Sequence, residues 1–153
     1  MDQKASDPEA FELESWLPYR FSIISNNVGS ALESYYGQQF GMKSMSWRVM
    51  AVLGRFAPMS AKELAEKIAI DQVAVSRAIS ELANHGFLSR RADQHDRRRI
   101  VLKLSKKGIH TYAQIVPQAI KAEQALLEDL TDEERKQLQA ISLKLMAASS
   151  ALS

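Results

Sequence analysis

The fold is decided by residues 60–86, which read SAKELAEKIAIDQVAVSRAISELANHG. The stretch opens on a capping box, because the Ser60 hydroxyl and the Glu63 carboxylate can each satisfy a free backbone amide at a helix start. A short helix is therefore predicted over residues 61–68. Its apolar residues are Leu64, Ala65 and Ile68.

A second helix is predicted over residues 72–85, after a very short connection. The Asp71 carboxylate can cap its start, and Gly86 can close its end in the left-handed conformation. Apolar residues recur between these two at steps of four and three, as in a helix with one buried face. They are Val75, Ile79 and Leu82. Two short helices joined by a tight turn indicate a helix-turn-helix.

A β-hairpin is predicted directly after the second helix. Residues 87–91 are expected to form a strand, residues 92–97 a polar turn, and residues 99–104 the returning strand. The inward side chains of the returning strand are expected to be Ile100, Leu102 and Leu104. A hairpin in this position is a wing, so residues 42–104 are predicted to form a winged helix-turn-helix lobe with its wing at residues 87–104.

Further helices with apolar stripes are predicted in and around this lobe. Ser105 can cap a helix that runs to about residue 127, and Pro117 is expected to kink it. Thr131 and Glu134 form a second capping box, which starts the last helix. The stripes consist of Leu17, Phe21, Ile24, Val28, Ala31 and Tyr35; of Trp47, Met50, Leu53 and Phe56; of Ile109, Tyr112, Val116, Ala119 and Ile120; and of Leu138, Ile141, Leu145 and Ala148.

The apolar stripes near the two ends of the chain carry more apolar surface than one winged lobe can cover. We therefore predict that residues 1–36 and 105–153 are dimerisation helices. A two-fold homodimer would place its two second motif helices about 34 Å apart, one turn of DNA, so the partner would be an inverted repeat in double-stranded DNA. The expected fold class is mainly α: a winged helix-turn-helix with a small two-stranded β-wing and long N- and C-terminal dimerisation helices.

Positive charge is concentrated in and just after the predicted wing. Residues 87–108 contain eight Lys or Arg and two Asp, a local charge of +6, whereas the whole chain carries +2. The remainder is therefore acidic. A basic cluster on an acidic protein favours a polyanionic partner, because phosphate neutralisation supplies most of the non-specific affinity for nucleic acid. A merely solvated basic hairpin is the alternative.

The composition excludes several classes of protein. None of the 153 residues is cysteine, which excludes disulfides, thiolate metal sites and cysteine nucleophiles. The N-terminus lacks an apolar secretory core and the apolar runs are short, so we expect a cytoplasmic protein without a membrane partner. The histidines show no metal-binding spacing, and no phosphate-binding loop or nucleophile elbow is present, so neither an enzyme nor a cofactor is expected. These histidines are His85, His95 and His110.

Three successive patterns resemble the MarR (multiple antibiotic resistance regulator) family of winged helix-turn-helix transcriptional regulators. They are Ser76-Arg77-x-Ile79-x-x-Leu82-x-x-x-Gly86-Phe87-Leu88-x-Arg90, then Asp93-x-x-Asp96-Arg97-Arg98, then Leu104-Ser105-x-x-Gly108. The order of predicted elements also agrees from about Phe11 to the C-terminus. One departure is Ala69, where many helix-turn-helix motifs place a glycine. An alanine in the left-handed conformation costs roughly 1 kcal/mol, so the backbone of this turn can differ locally from that of the family without a change of fold.

The resemblance implies that the second motif helix enters the major groove of DNA. There Arg77 can donate two hydrogen bonds to guanine, and Gln72 can bind adenine. Ser76 and Ser80 would contact phosphates or base edges. The alternative for Arg77 is an ion pair with Glu81 one turn later, and the alternative for Gln72 is simple solvation.

The resemblance also implies that Arg98 at the wing tip inserts into the minor groove, with Asp96 holding its guanidinium in an ion pair. Arg97 is the alternative for this role, because neighbouring residues in a tight turn are hard to orient from sequence. Lysines near the wing are expected to contact phosphates or to be solvated. They are Lys103, Lys106 and Lys107.

By the same resemblance, a small effector such as an aromatic acid or its derivative would bind between the dimerisation helices and the lobe, and would release a repressor from its operator. The candidate lining is Trp16, Tyr19, Arg20, Trp47, Arg48 and Tyr112. The alternative is that the aromatic residues belong to the core and that the two arginines pair with acids such as Glu14 or Glu33. A ligand-independent architectural or constitutive DNA-binding protein remains the alternative function.

Overall fold

The computed structural model describes residues 11–153, so the first ten residues of the predicted dimerisation segment 1–36 lie outside it. A short 3-10 turn, Leu13–Ser15, precedes the first helix. The helices are α1 (Leu17–Phe40), α2 (Ser44–Phe56), α3 (Ala61–Ile68), α4 (Gln72–Asn84), α5 (Lys106–Leu126) and α6 (Asp132–Ser150), and the strands are β1 (Leu88–Ala92) and β2 (Ile100–Leu104). Residues 11–153 are mainly helical with one two-stranded antiparallel sheet, which confirms the predicted mainly α, winged fold class. Within the described residues, no helix is long and apolar enough to cross a membrane.

The helix starts form as their local sequence predicts. Ser60 Oγ accepts the N–H of Glu63 at 3.2 Å, while the Glu63 carboxylate accepts the N–H of Ser60 at 2.7 Å. Thr131 and Glu134 form the same reciprocal pair at the start of α6. The Asp71 carboxylate accepts an amide of α4 at 3.0 Å. These bonds form within four residues, so no tertiary contact is needed to specify them.

The turn between α3 and α4 keeps its left-handed geometry although it has no glycine. Ala69 has φ 58° and ψ 43°. The N–H of Ile70 donates to the carbonyl of Ala65 at 3.2 Å, as in a Schellman motif. The turn therefore does not change locally to avoid the strain, and Ala69 carries a cost of roughly 1 kcal/mol.

The core lies beneath the helix-turn-helix and joins every element from the second half of α1 to the first half of α5. Its largest fully buried side chains are Tyr36, Met42, Met50, Leu53, Leu64, Leu82 and Ile115. Phe87 precedes β1 and is also buried. The wing is anchored at the middle of β2, where Met59 and Leu102 exchange backbone hydrogen bonds of 3.1 and 2.7 Å.

Several predicted inward faces were wrong. Phe56 at the end of α2 is exposed, and in β2 Ile100 is 52% exposed whereas Val101 is buried. The α5 stripe belongs to a predicted dimerisation segment: the lobe covers Gly108, Thr111 and Ile115 of this helix, whereas Ile109 and Ile120 are exposed. The reason is that periodicity locates an apolar stripe but does not say which neighbour covers it. The start of α1 and the whole of α6 likewise have no buried residue among those described.

The Leu104-Ser105-x-x-Gly108 pattern has a structural explanation. Ser105 Oγ donates to the Gly86 carbonyl at 2.6 Å and accepts the N–H of Gly108 at 3.0 Å. A side chain at Gly108 would overlap the backbone carbonyl of Phe87. The pattern therefore fixes the start of α5 against the junction of α4 and the wing.

Candidate DNA-binding surface

Helix α4 has one buried and one open face. Val75, Ala78, Ile79 and Leu82 pack into the core. On the other side Gln72, Ser76, Arg77 and Ser80 are exposed and line one open groove. The fold therefore brings the four predicted major-groove residues together on one exposed face of α4, with Lys43 and His85 beside them.

The alternative partner of Arg77 is occupied elsewhere. The Glu81 carboxylate accepts the Ser46 hydroxyl at 2.8 Å and the backbone N–H of Lys43 at 3.2 Å. No acid among residues 11–153 forms an ion pair with Arg77. Its guanidinium is exposed and free to bind a base edge or a phosphate.

Sequence reasoning did not identify the link between Glu81 and the start of α2. Ser46 is completely buried, and Lys43 is the N-cap residue of α2, which has no side-chain cap of its own in this structure. The carboxylate of α4 thus supplies the missing cap, and its negative charge suits a helix N-terminus. This contact joins α4 to α2 by hydrogen bonds, in addition to the packing of its apolar face. A separation of 35 residues leaves no local signal for it.

The wing presents two arginines at its tip. Strands β1 and β2 pair in an antiparallel register from Leu88 opposite Leu104 to Ala92 opposite Ile100. Beyond them Asp96, Arg97 and Arg98 are exposed.

The predicted ion pair between Asp96 and the Arg98 guanidinium was wrong. The Asp96 carboxylate instead accepts the backbone N–H of Arg98 at 3.0 Å. A short aspartate in a tight turn reaches the amide two residues later more readily than the end of a long side chain. Asp96 therefore shapes the backbone of the tip rather than holding the guanidinium.

Arg99 makes both ion pairs found in the described part of the chain. Its guanidinium pairs with the Asp93 carboxylate at 3.2 Å and with the Glu63 carboxylate at the start of α3. The backbone amide of Ser60, followed by Arg99, lowers the pKa of Glu63. The backbone amide of His95 is the main cause that lowers the pKa of Asp93. From the sequence, Arg99 was identified only as a member of the basic cluster in residues 87–108.

The lysines after the wing differ in their surroundings. Lys106 is exposed in the first turn of α5, and Lys103 is exposed on β2. Lys107 Nζ donates to the His85 carbonyl at 2.8 Å and lies 5.1 Å from the Phe87 ring centroid. Lys107 is thus partly committed to the end of α4.

Only part of the predicted effector lining is brought into contact. Trp47 stacks on Tyr112 with ring centroids 6.0 Å apart, between the lobe and α5. Arg48 lies 3.4 Å from the Ser25 hydroxyl of α1. At the start of α1, Trp16 is exposed and Arg20 donates to the Glu14 backbone carbonyl, not to its carboxylate. Tyr19 is half-buried in the same turn.

Comparisons with known proteins agree on one family. A profile described as MarR family matches residues 40–99, from the end of α1 to the wing. An uncharacterised helix-turn-helix transcriptional regulator of Bacillus subtilis, YwoH, is 30% identical over 114 residues, which cover 74% of this chain and 79% of YwoH. The transcriptional repressor YetL of the same organism is 25% identical over 114 residues, covering 73% of this chain and 68% of YetL.

The fold agrees with a solved structure as well. The Staphylococcus aureus MepR structure, determined as a DNA complex, superposes with a TM-score of 0.75 at 21% identity, covering 87% of this chain and 98% of MepR. The sequence relationship to YwoH and the family profile together carry the assignment. The chain belongs to the MarR family, whose members are DNA-binding transcriptional regulators and not enzymes.

Proposed function

We propose that the protein is a homodimeric repressor, acting in the cytoplasm, that binds an inverted-repeat operator and is released by a small aromatic acid or a derivative of one. The observation that carries the DNA-binding part is the single open face of α4, where Arg77 has no competing ion pair among residues 11–153. The relationship to YetL, which is named a repressor, supports repression rather than activation.

In this proposal α4 contacts bases and the wing contacts the minor groove. Arg77 would donate two hydrogen bonds to guanine and Gln72 would bind adenine, while the two serines reach phosphates or base edges. Arg98 would insert into a narrow, A/T-rich minor groove, with Arg97 at the adjacent phosphates and Asp96 shaping the turn. Lys106 would contact a phosphate. The serines are Ser76 and Ser80.

Dimerisation would cover the apolar surface that the lobe leaves open. Residues 1–36 and 105–153 are the proposed dimerisation segments, and residues 42–104 the DNA-binding lobe. Large apolar side chains at both ends of the chain support this, because a lone monomer would leave them in water. They are Phe11, Leu13, Trp16, Leu17, Phe21, Leu138, Ile141 and Leu145.

The proposed effector would bind where α1 and α5 meet the lobe. The Trp47 and Tyr112 stack offers a flat apolar surface, and Arg48 offers a cation for a carboxylate. Burial raises the pKa of the neighbouring Tyr36, and the nearby Ser44 side chain partly opposes this rise. The buried Tyr36 hydroxyl has no hydrogen-bond partner of good geometry among the described residues. Such a hydroxyl favours a polar ligand nearby.

The test combines DNA selection with ligand release. The protein is used to select duplexes from a random-sequence library, and the selected duplex is titrated with protein in gel shifts. Aromatic acids are screened by thermal shift, and those that stabilise the protein are added to the gel shifts. We expect an inverted repeat bound by a dimer and released by an acid that raises the melting temperature. Selection of no sequence would refute specific binding. Specific binding that no stabilising acid releases would instead indicate the constitutive alternative.

A further inference from the structure

Arg99 links the wing to the helix-turn-helix at a point far from the hairpin base. We propose that Arg99 is a positioning residue for DNA binding, which sets the direction of the wing tip relative to α4 by joining Asp93 to Glu63. The inference rests on the proposed minor-groove contact of the wing tip. Arg99 itself need not touch DNA.

The Glu63 end of this link is fixed to α3. The oxygen that pairs with Arg99 also accepts the backbone N–H of Ser60 at 2.7 Å, within the capping box. A carboxylate held in this way has little freedom to follow a moving wing. Because α3 packs against α4, a group fixed to the start of α3 is also fixed relative to the open face of α4.

The Asp93 end of the link organises the tip. Asp93 accepts the N–H groups of His95 at 2.7 Å and Asp96 at 3.3 Å, and its own N–H donates to the Arg99 carbonyl at 2.8 Å. Asp96 in turn accepts the N–H of Arg98 at 3.0 Å. A continuous set of polar contacts therefore runs from α3 to the backbone of Arg98.

The contribution of this link is geometric rather than energetic. The Arg99 and Glu63 side chains are 39% and 42% exposed, and ion pairs of that exposure add little to stability. Two carboxylates also neutralise the guanidinium, which makes it a poor phosphate ligand. A two-stranded hairpin is only marginally stable alone, and Met59 attaches to it at Leu102 in the middle of β2, so a second attachment nearer the tip limits how the wing can swing.

The test compares three charge-removing variants. Glu63→Gln keeps an oxygen for the capping box but loses the ion pair, Arg99→Gln loses both ion pairs, and Glu66→Gln is the control, an exposed acid on the same helix that forms no ion pair among the described residues. Affinity is measured for the duplex that the parent selects from a random-sequence library, with A/T-rich and with G/C-rich flanks.

We expect Glu63→Gln and Arg99→Gln each to lower affinity for the A/T-flanked duplex by about tenfold, with a smaller loss on the G/C-flanked duplex. Removal of an acid near DNA should by itself strengthen binding. A loss with Glu63→Gln therefore identifies positioning. Unchanged or tighter binding by Glu63→Gln overturns the proposal, as does an equal loss on both duplexes by Arg99→Gln with a shallower salt dependence.

Two further measurements separate this proposal from the proposed function. If Arg98→Ala loses the A/T preference while both link variants keep it, the wing contact stands and only the positioning role fails. If Arg98→Ala has no effect, both fail. In the DNA-free protein, Glu63→Gln should speed hydrogen exchange at the amides of His95 and Asp96 whereas Glu66→Gln should not. Unchanged exchange overturns the proposal even if Arg99→Gln does not fold.

Discussion

The Glu81 carboxylate on α4 accepts a hydrogen bond of 2.8 Å from the buried hydroxyl of Ser46 on α2. The same carboxylate caps the start of α2 through the N–H of Lys43. Glu81 therefore adds to the stability of the lobe and to the orientation of α4, beside the packing of the apolar face of that helix.

Glu81→Ala should lower the free energy of unfolding by about 1 to 3 kcal/mol, because it leaves a buried hydroxyl and a helix-start amide without their acceptor. Chemical denaturation measures the loss, and Glu66→Ala on α3 is the control for removing an exposed glutamate. Equal stability of the two variants would show that water replaces the carboxylate at no cost.

Ala69→Gly should stabilise the protein by about 0.5 to 1 kcal/mol. Glycine relieves the left-handed strain at φ 58°, and this gain exceeds the added entropy of the unfolded chain. Ala74→Gly, inside α4, should have the opposite sign because that residue is helical. The melting temperatures of the two variants check both signs, and a destabilised Ala69→Gly protein would contradict the strain.

Arg77→Ala should weaken binding to the selected duplex by about 1 to 3 kcal/mol and should relax the base preference at one position of each half-site. Lys106→Ala should weaken all sequences alike and flatten the salt dependence. Titrations of selected and random duplexes at several salt concentrations distinguish the two. An equal loss on both duplexes for Arg77→Ala would refute base recognition.

Ile141→Glu should convert the proposed dimer into a folded monomer, because Ile141 is 53% exposed and belongs to a stripe that only a second copy would cover. Gln139→Glu, on the other side of α6, should remain dimeric. Sedimentation measures the state of each variant. Removing the chain from Thr131 onward should also abolish dimerisation, and a truncated monomer that still binds an inverted repeat tightly would contradict the assembly.

The lowered pKa of Glu63, caused first by the backbone amide of Ser60 and then by Arg99, should make the free energy of unfolding depend on pH in the acid range. The lowered pKa of the folded state means that the unfolded chain binds the proton more tightly, so stabilisation is complete above the ordinary value of 4.5 and is lost as the pH falls through the folded value. Urea denaturation across this range should show a weaker pH dependence for Glu63→Gln than for Glu66→Gln. Identical slopes would contradict the lowered pKa.

The sequence by itself determined the order of the elements and their ends. The capping box of Ser60 and Glu63, the Asp71 cap and the left-handed Gly86 all act within a few residues, so their chemistry is complete before the chain folds. The open face of α4 followed from the same periodicity, because its apolar residues identify the opposite side. The candidate major-groove residues were therefore predictable.

Only the tertiary structure decided which apolar residues the lobe covers and which partners the charged side chains bind. Helix α5 buries Thr111 and Ile115 and leaves Ile109 exposed, although all of its faces repeat with the same period. The contacts of Glu81 with Ser46 and of Glu63 with Arg99 join residues more than thirty positions apart. Long-range contacts of this kind form only when the helices pack around the core. The spacing of residues along the sequence therefore does not predict them.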